Sequence, residues 1–173
     1  MTVKVRRLTP EDDRSGFRSG NPDLDRFFSR YAGQNQFRYH IGTTYVAIDE
    51  SERIVGFTTV TASEFPPQKL PGPRHQRLPK YPVPVLRLAR LAVDEHAQGR
   101  GVGTLLLKSM LTLAQQLAQS VGCLGVLVDA KPEAVAFYEK LGFISLHAAA
   151  GQLGDRPEPL PMFLELGQLK EER

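Results

Sequence analysis

The chain has a single cysteine, Cys123, among its 173 residues. One thiol closes no internal disulfide and has no metal-binding companion, so the sequence predicts a core thiol, no metal and a reducing, cytoplasmic setting. Long apolar runs are also missing. None approaches the roughly 18 residues that cross a bilayer, and the opening "MTVKVRRLTPEDDR" lacks the apolar core of a signal peptide. Acid is missing from one long stretch. Phe65 to Val93 holds no Asp or Glu, yet it holds Lys69, Arg74, Arg77, Lys80, Arg87 and Arg90, with His75 beside them. The net charge of +3 is unevenly spread: residues 1–100 carry 16 Lys+Arg against 11 Asp+Glu, and residues 101–173 carry 6 against 8. Such a basic region is either a solvated loop or a surface for phosphates.

What is present describes one soluble globular domain over residues 1–173, with 41% hydrophobic and 24% charged residues. "TVKVRRL" alternates as an edge strand, with Val3, Val5 and Leu8 inward. Asn21-Pro22 opens a helix on which Leu24, Phe27, Phe28 and Tyr31 share a face. "TTYVAI" and "RIVGFTTVTA", joined by "DESE", predict a hairpin. Residues 65–84 hold seven prolines and predict a long ordered loop or a mobile arm in place of a regular element. The strand "VLRLARLAVD" then leads to a helix with Leu105, Leu106, Met110, Leu113, Leu117 and Val121 on one face. The strand "LGVLVDA" follows, then a helix from Pro132 carrying Ala136, Phe137 and Leu141 and capped by Gly142. "FISLH", a Gly/Pro-rich loop at 151–159 and "LPMFLEL" complete the order β, α, β, β, loop, β, α, β, α, β, β. That order predicts an α/β fold class, a central mixed sheet flanked by helices.

"EHAQGRGVGTLLL" (95–107) places Gly99, Gly101 and Gly103 on alternate positions before a helix. The first N–H groups of a helix lack partners and its dipole favours negative charge, so a strand, glycine loop and helix in series predict an anion site. Two nucleotide loops are excluded. There is no Gly-Lys-Ser/Thr of a P-loop, and Thr104 stands where a dinucleotide loop needs its last glycine. A different diphosphate carrier is required.

Gln98-Gly99-Arg100-Gly101-Val102-Gly103, preceded by "RLAVD" and followed by "AVAFYEKLGF", resembles the signature of the GNAT superfamily of acetyl-CoA-dependent N-acetyltransferases. The resemblance runs from about Val3 to Leu166 and implies the GNAT fold with acetyl-CoA as acetyl donor. It implies that the backbone from Gln98 through Gly99, Arg100, Gly101, Val102 and Gly103 to Thr104 holds the CoA pyrophosphate, with Arg100 as an optional cation. Leu91, Ala92 and Val93 would offer main-chain partners to the pantetheine, and Phe137 would pack in the core or on CoA. Tyr138 would be the catalytic acid that protonates the departing thiolate, its ordinary pKa near 10 keeping it protonated at neutral pH. The competing role for Tyr138 is a core aromatic.

Many family members carry a Glu base on the strand before the glycine loop, whereas "VLRLARLAV" carries Arg87 and Arg90. A lysine acceptor, with a pKa near 10.4, needs such a base; an α-amine, near 7.7 to 8, does so far less. Asp94 or a water chain remains open as a base. The whole pattern, including "FRSGNPDLDRFFSRYAGQNQ" and the basic loop, is similar to the type II toxin–antitoxin toxins that acetylate aminoacyl-tRNA. Ser19 stands where many relatives are expected to carry Cys. That branch implies aminoacyl-tRNA as substrate, with Arg74, Arg77, Lys80, Arg87 and Arg90 on its phosphates, a ribbon-helix-helix antitoxin and a homodimer. The alternatives are a small-molecule or protein N-terminal N-acetyltransferase and a non-catalytic GNAT-like binding module.

Overall fold

A computed structural model describes residues 1–146 and 159–167, with Arg74 and His75 described in their backbone alone. His147 and the Gly/Pro-rich loop up to Glu158 lie outside the described residues. Among the described residues the strands are β1 (Lys4–Arg7), β2 (Thr43–Ile48), β3 (Ile54–Phe65), β4 (Val83–Val93), β5 (Gly125–Ala130), β6 (Ile144–Ser145) and β7 (Leu160–Glu165). The α-helices are α1 (Pro22–Arg26), α2 (Val102–Ser120) and α3 (Val135–Lys140). The strands form a mixed sheet in the order β1-β2-β3-β4-β5-β7-β6, and this is the succession of elements that the sequence predicts. No helix among the described residues is long and apolar enough to cross a membrane. The chain divides into two compact units, Met1–Thr61 with Leu88–Leu113 and Ala62–Arg87 with Ala114–Arg173. The strands β3 and β4 and the helix α2 each run from one unit into the other.

In the first unit, β1 and β2 pair antiparallel, as do β2 and β3. The hairpin turn between β2 and β3 is made by Asp49, whose carboxylate accepts from the N–H groups of Ser51 and Arg53, both at 2.9 Å. Asn21 caps α1 by accepting from Asp23 and Leu24, and Pro22 occupies the first turn, where no N–H is needed. Beyond Arg26 the helix widens into two π turns, Phe27–Tyr31 and Gln34–Arg38. This winding turns Phe27, Phe28 and Ala32 inward and leaves Tyr31 exposed, which corrects the expectation that Tyr31 shares the buried face. The rings of Phe28 and Phe57 stack 4.3 Å apart, and Phe17 meets Phe57 edge-on at 5.4 Å. Contacts of this kind add about 0.5–1.5 kcal/mol each beyond area burial.

The second unit is built on Phe65, Leu70, Val83, Val85, Leu146 and Phe163. The buried Phe65 and Leu70 bracket the start of the Pro-rich stretch, which forms two short 3₁₀ turns, Pro67–Lys69 and Gly72–Arg77. The strand β4 starts at Val83, ahead of the expected Val85, and so includes Pro84. Pro84 has no N–H to pair, and its carbonyl accepts from Leu124 at 2.8 Å.

The helix α2 buries Leu106, Leu107, Met110 and Ala114 completely. Val121, expected on that face, lies past the helix end and is 79% exposed. The reason is the termination: Val121 and Gly122 both donate to the Leu117 carbonyl, and Gly122 adopts φ +105. The helix expected from Pro132 begins as a 3₁₀ turn at Pro132–Ala134 and becomes α3 at Val135, with Tyr138 buried and Ala136 exposed. Gly142 closes α3 at φ +98, the left-handed cap that the sequence predicts. Cys123 is half-buried, with Sγ 3.3 Å from the Gly125 carbonyl, and burial pushes its thiol up.

Candidate active site

The strand β4 carries no carboxylate and ends at Val93, where a chain of turn residues leads to α2. Asp94 fixes that turn. Its carboxylate accepts from the N–H groups of Arg18, at 3.2 Å, and His96, at 3.0 Å, while its own N–H reaches the Val55 carbonyl. Asp94, open in the sequence as a base, is thus a buried clamp. The exposed Gln98 uses its side-chain amide to bridge the carbonyls of Ser19 and Val93, at 3.0 and 3.1 Å. Ser19 in turn binds Asp25 through its hydroxyl at 2.7 Å, so the position expected to hold Cys in relatives is a hydrogen-bonded corner. Sequence reading gave Gln98 to the cofactor loop without seeing this anchoring role, because Ser19 lies far away along the chain.

Past this anchor, Gly99 and Gly101 sit at φ +78 and +82, a left-handed backbone that costs other residues roughly 1–2 kcal/mol. A Cβ built on either would meet nothing within 4 Å, so the main chain faces open space there. Arg100 is exposed between them, Val102 is buried, and Gly103 and Thr104 lie in the first turn of the 19-residue α2. Exposed left-handed glycines leading into free helix N–H groups suit a polyanion brought against the backbone. Ala92 is buried, and Leu91 and Val93 are half-buried against the cluster of Ala47, Val55, Ala97, Val102 and Leu106. Their side chains belong to the core.

In the second unit, the Tyr138 ring meets Phe137 at 5.1 Å and Phe143 at 5.3 Å, both edge-on. Burial pushes its phenol up to about 12. At neutral pH such a group is a proton donor and never a base. Phe137 is half-buried.

The five residues expected on phosphates are differently placed. Arg77 and Lys80 are exposed on the Pro-rich loop, and the side chain of Arg74 lies outside the described residues. Arg87 is exposed but paired to Asp129 at 2.6 Å. Arg90 lies with its guanidinium 3.7 Å from the centre of the Phe27 ring, a cation–π contact. Both partners lie far from β4 in sequence, which is why a local count of charge did not find them.

Residues 40–145 match the family described as acetyltransferase (GNAT) domain, more than half of the chain. The chain belongs to the GNAT acetyltransferase family. A curated relative, the "tRNA-acetylating toxin" of Mycobacterium tuberculosis strain H37Rv, is 36% identical over 139 residues, covering 80% of this chain and 82% of the relative. The solved structure of AtaTR bound with AcCoA superposes with a TM-score of 0.78 at 26% identity, covering 98% of this chain and 97% of that one. AtaT complexed with acetyl-methionyl-tRNAfMet shares the fold, with a TM-score of 0.85 at 24% identity over 99% of each chain. The GNAT fold expected from the glycine loop is therefore the fold of this chain.

Proposed function

We propose that this GNAT chain, acting as a single domain, transfers the acetyl group of acetyl-CoA to the α-amine of aminoacyl-tRNA and so blocks translation. The observation that carries this reading is β4. It carries Arg87 and Arg90 and no carboxylate of its own, and Asp94, in the turn that follows, accepts from two backbone N–H groups. Near pH 7 an α-amine with a pKa near 7.8 is neutral about 340 times more often than a lysine with a pKa near 10.4. A strand without the usual Glu base suits the former. The relative that acetylates tRNA supports the choice of acceptor, and the AtaTR structure with AcCoA supports the donor.

In this reading the backbone N–H groups of Gly99 to Thr104 bind the pyrophosphate, and Arg100 adds a cation. The main chain of Leu91 to Val93 pairs with the pantetheine, and Phe137 packs beside CoA. The neutral α-amine attacks the thioester carbonyl, the C–S bond breaks, and Tyr138 supplies a proton to the leaving sulfur. The amine's surplus proton goes to water. Arg77 and Lys80 contact tRNA phosphates, joined by Arg74, Arg87 and Arg90 as their present partners allow. The protein works in the cytoplasm as a homodimer, and a ribbon-helix-helix antitoxin restrains it. A protein N-terminus also offers an α-amine, but it gives the exposed cations no phosphates to meet.

A panel of acceptors tests this. Incubated with labelled acetyl-CoA, the protein should label aminoacyl-tRNA and leave deacylated tRNA, a lysine peptide and a polyamine unlabelled. Label on the peptide N-terminus or the polyamine, with none on aminoacyl-tRNA, would overturn it.

A further inference from the structure

A second stretch of the chain is also free of acid. From Arg26 to Ile48 there is no Asp or Glu, while Arg26, Arg30, Arg38 and His40 lie within it. Its first part is the π-wound helix and its exit, and there Tyr31, Phe37, Tyr39 and Ile41 are exposed. Tyr39 is 51% and Ile41 60% exposed, while Phe17, Phe27, Phe28 and Phe57 of the same unit are buried. Apolar groups gathered on a surface mark a binding face, and π turns recur at functional sites.

The stretch is held firmly. Arg14 donates to the Phe28 carbonyl at 2.8 Å. Gln36 donates to the Leu8 carbonyl at 3.0 Å and accepts from the Thr44 N–H at 2.8 Å. The Ile41 N–H reaches the Asn35 carbonyl, and its own carbonyl accepts from the Thr61 hydroxyl, both at 3.0 Å. His40 is fixed in the left-handed region at φ +54. The exposed rings therefore stand on a braced backbone, and the Arg38 guanidinium lies 5.5 Å from the centre of the Tyr39 ring.

We propose that Arg30, Tyr31, Phe37, Arg38 and Tyr39 bind an unpaired RNA end, the rings stacking on bases and the arginines meeting phosphates. The inference rests on the aminoacyl-tRNA reading, since the aminoacylated end of a tRNA is a short single strand. Rings interleaved with arginines are the chemistry of single-strand recognition, because every base has a π face and every linkage a charge. A second copy of the chain fits less well. A two-fold contact would set this patch against itself, bringing like charges together with no acid from the patch to offset them.

The test uses a fluorescently labelled RNA hairpin with a short unpaired 3′ end and a blunt hairpin of the same stem, measured by anisotropy. Wild type should bind the tailed hairpin more tightly. Tyr39→Ala and Phe37→Ala should each lose about 5- to 150-fold on the tailed hairpin and little on the blunt one. Tyr39→Phe should retain binding, and all three variants should keep wild-type melting and acetyl-CoA affinity. Tailed-hairpin binding that survives both alanine variants would overturn this surface while leaving the acceptor reading intact. Wild type that binds neither hairpin would overturn both. A change in sedimentation mass, or loss of a protein partner, with RNA affinity unchanged would make the patch a protein interface and overturn the proposal.

Discussion

Tyr138 suits proton donation because it resists ionisation. With its phenol near 12, it stays protonated across the pH range in which the acceptor amine loses its proton. Replacing it by Phe keeps the ring against Phe143 and removes the proposed donor. Turnover should fall by about 10²- to 10⁴-fold while acetyl-CoA affinity by calorimetry and the melting temperature hold. The wild-type rate should also show no loss from Tyr138 ionisation up to about pH 10. A second residue gives a prediction on stability. Asp12 accepts two bonds from Arg6, both at 2.8 Å, and this partner lowers its carboxyl to about 2. A carboxyl depressed on folding stabilises above its unfolded pKa, near 3.9, and that contribution disappears as the pH falls toward 2. Asp12→Asn should cost on the order of 1 kcal/mol at pH 7, screening by solvent reducing the effect, and the gap to wild type should close in acid melts. At this scale the sequence was partly legible. Local spacing pointed to the glycine loop and the family resemblance to Tyr138, whereas Arg87 and Arg90 read as plain charges because Asp129 and Phe27 come to them only through the fold.

Among the elements, the glycine loop and α2 act together. Gly101→Asp adds a carboxylate on a left-handed backbone beside the helix N-terminus, where the proposed pyrophosphate would lie. Acetyl-CoA affinity should drop by at least tenfold with the fold retained, as calorimetry and circular dichroism would show. Gly125 differs because its constraint is packing. A Cβ there would collide with the Leu164 carbonyl and the Phe163 ring, so Gly125→Ala should destabilise by about 2 kcal/mol or more in urea melts. The start of α1 and the end of α3 could be read from Asn21-Pro22 and Gly142, whose side-chain chemistry or conformational freedom acts locally. The widening after Arg26 could not. A π turn uses the same residues as an α turn, and here it follows the packing of Phe27 and Phe28 around Phe57.

For the whole molecule, the uneven charge sets how a polyanion approaches. The exposed Arg77 and Lys80 lie in a stretch without acid, so Arg77→Glu and Lys80→Glu should each weaken tRNA binding. Each should also flatten its dependence on the logarithm of salt by about one unit or slightly less, with acetyl-CoA binding unchanged. Filter binding across a salt series would measure both effects. The central claim concerns one bond, between an acetyl group and an α-amine. It is tested most directly by treating aminoacyl-tRNA with the protein and acetyl-CoA, digesting to the terminal aminoacyl-adenosine, and locating any added mass by fragmentation. The account predicts one acetyl group on the amino-acid nitrogen, dependent on Tyr138. Unmodified aminoacyl-adenosine, or an acetyl group on the nucleoside, would contradict it.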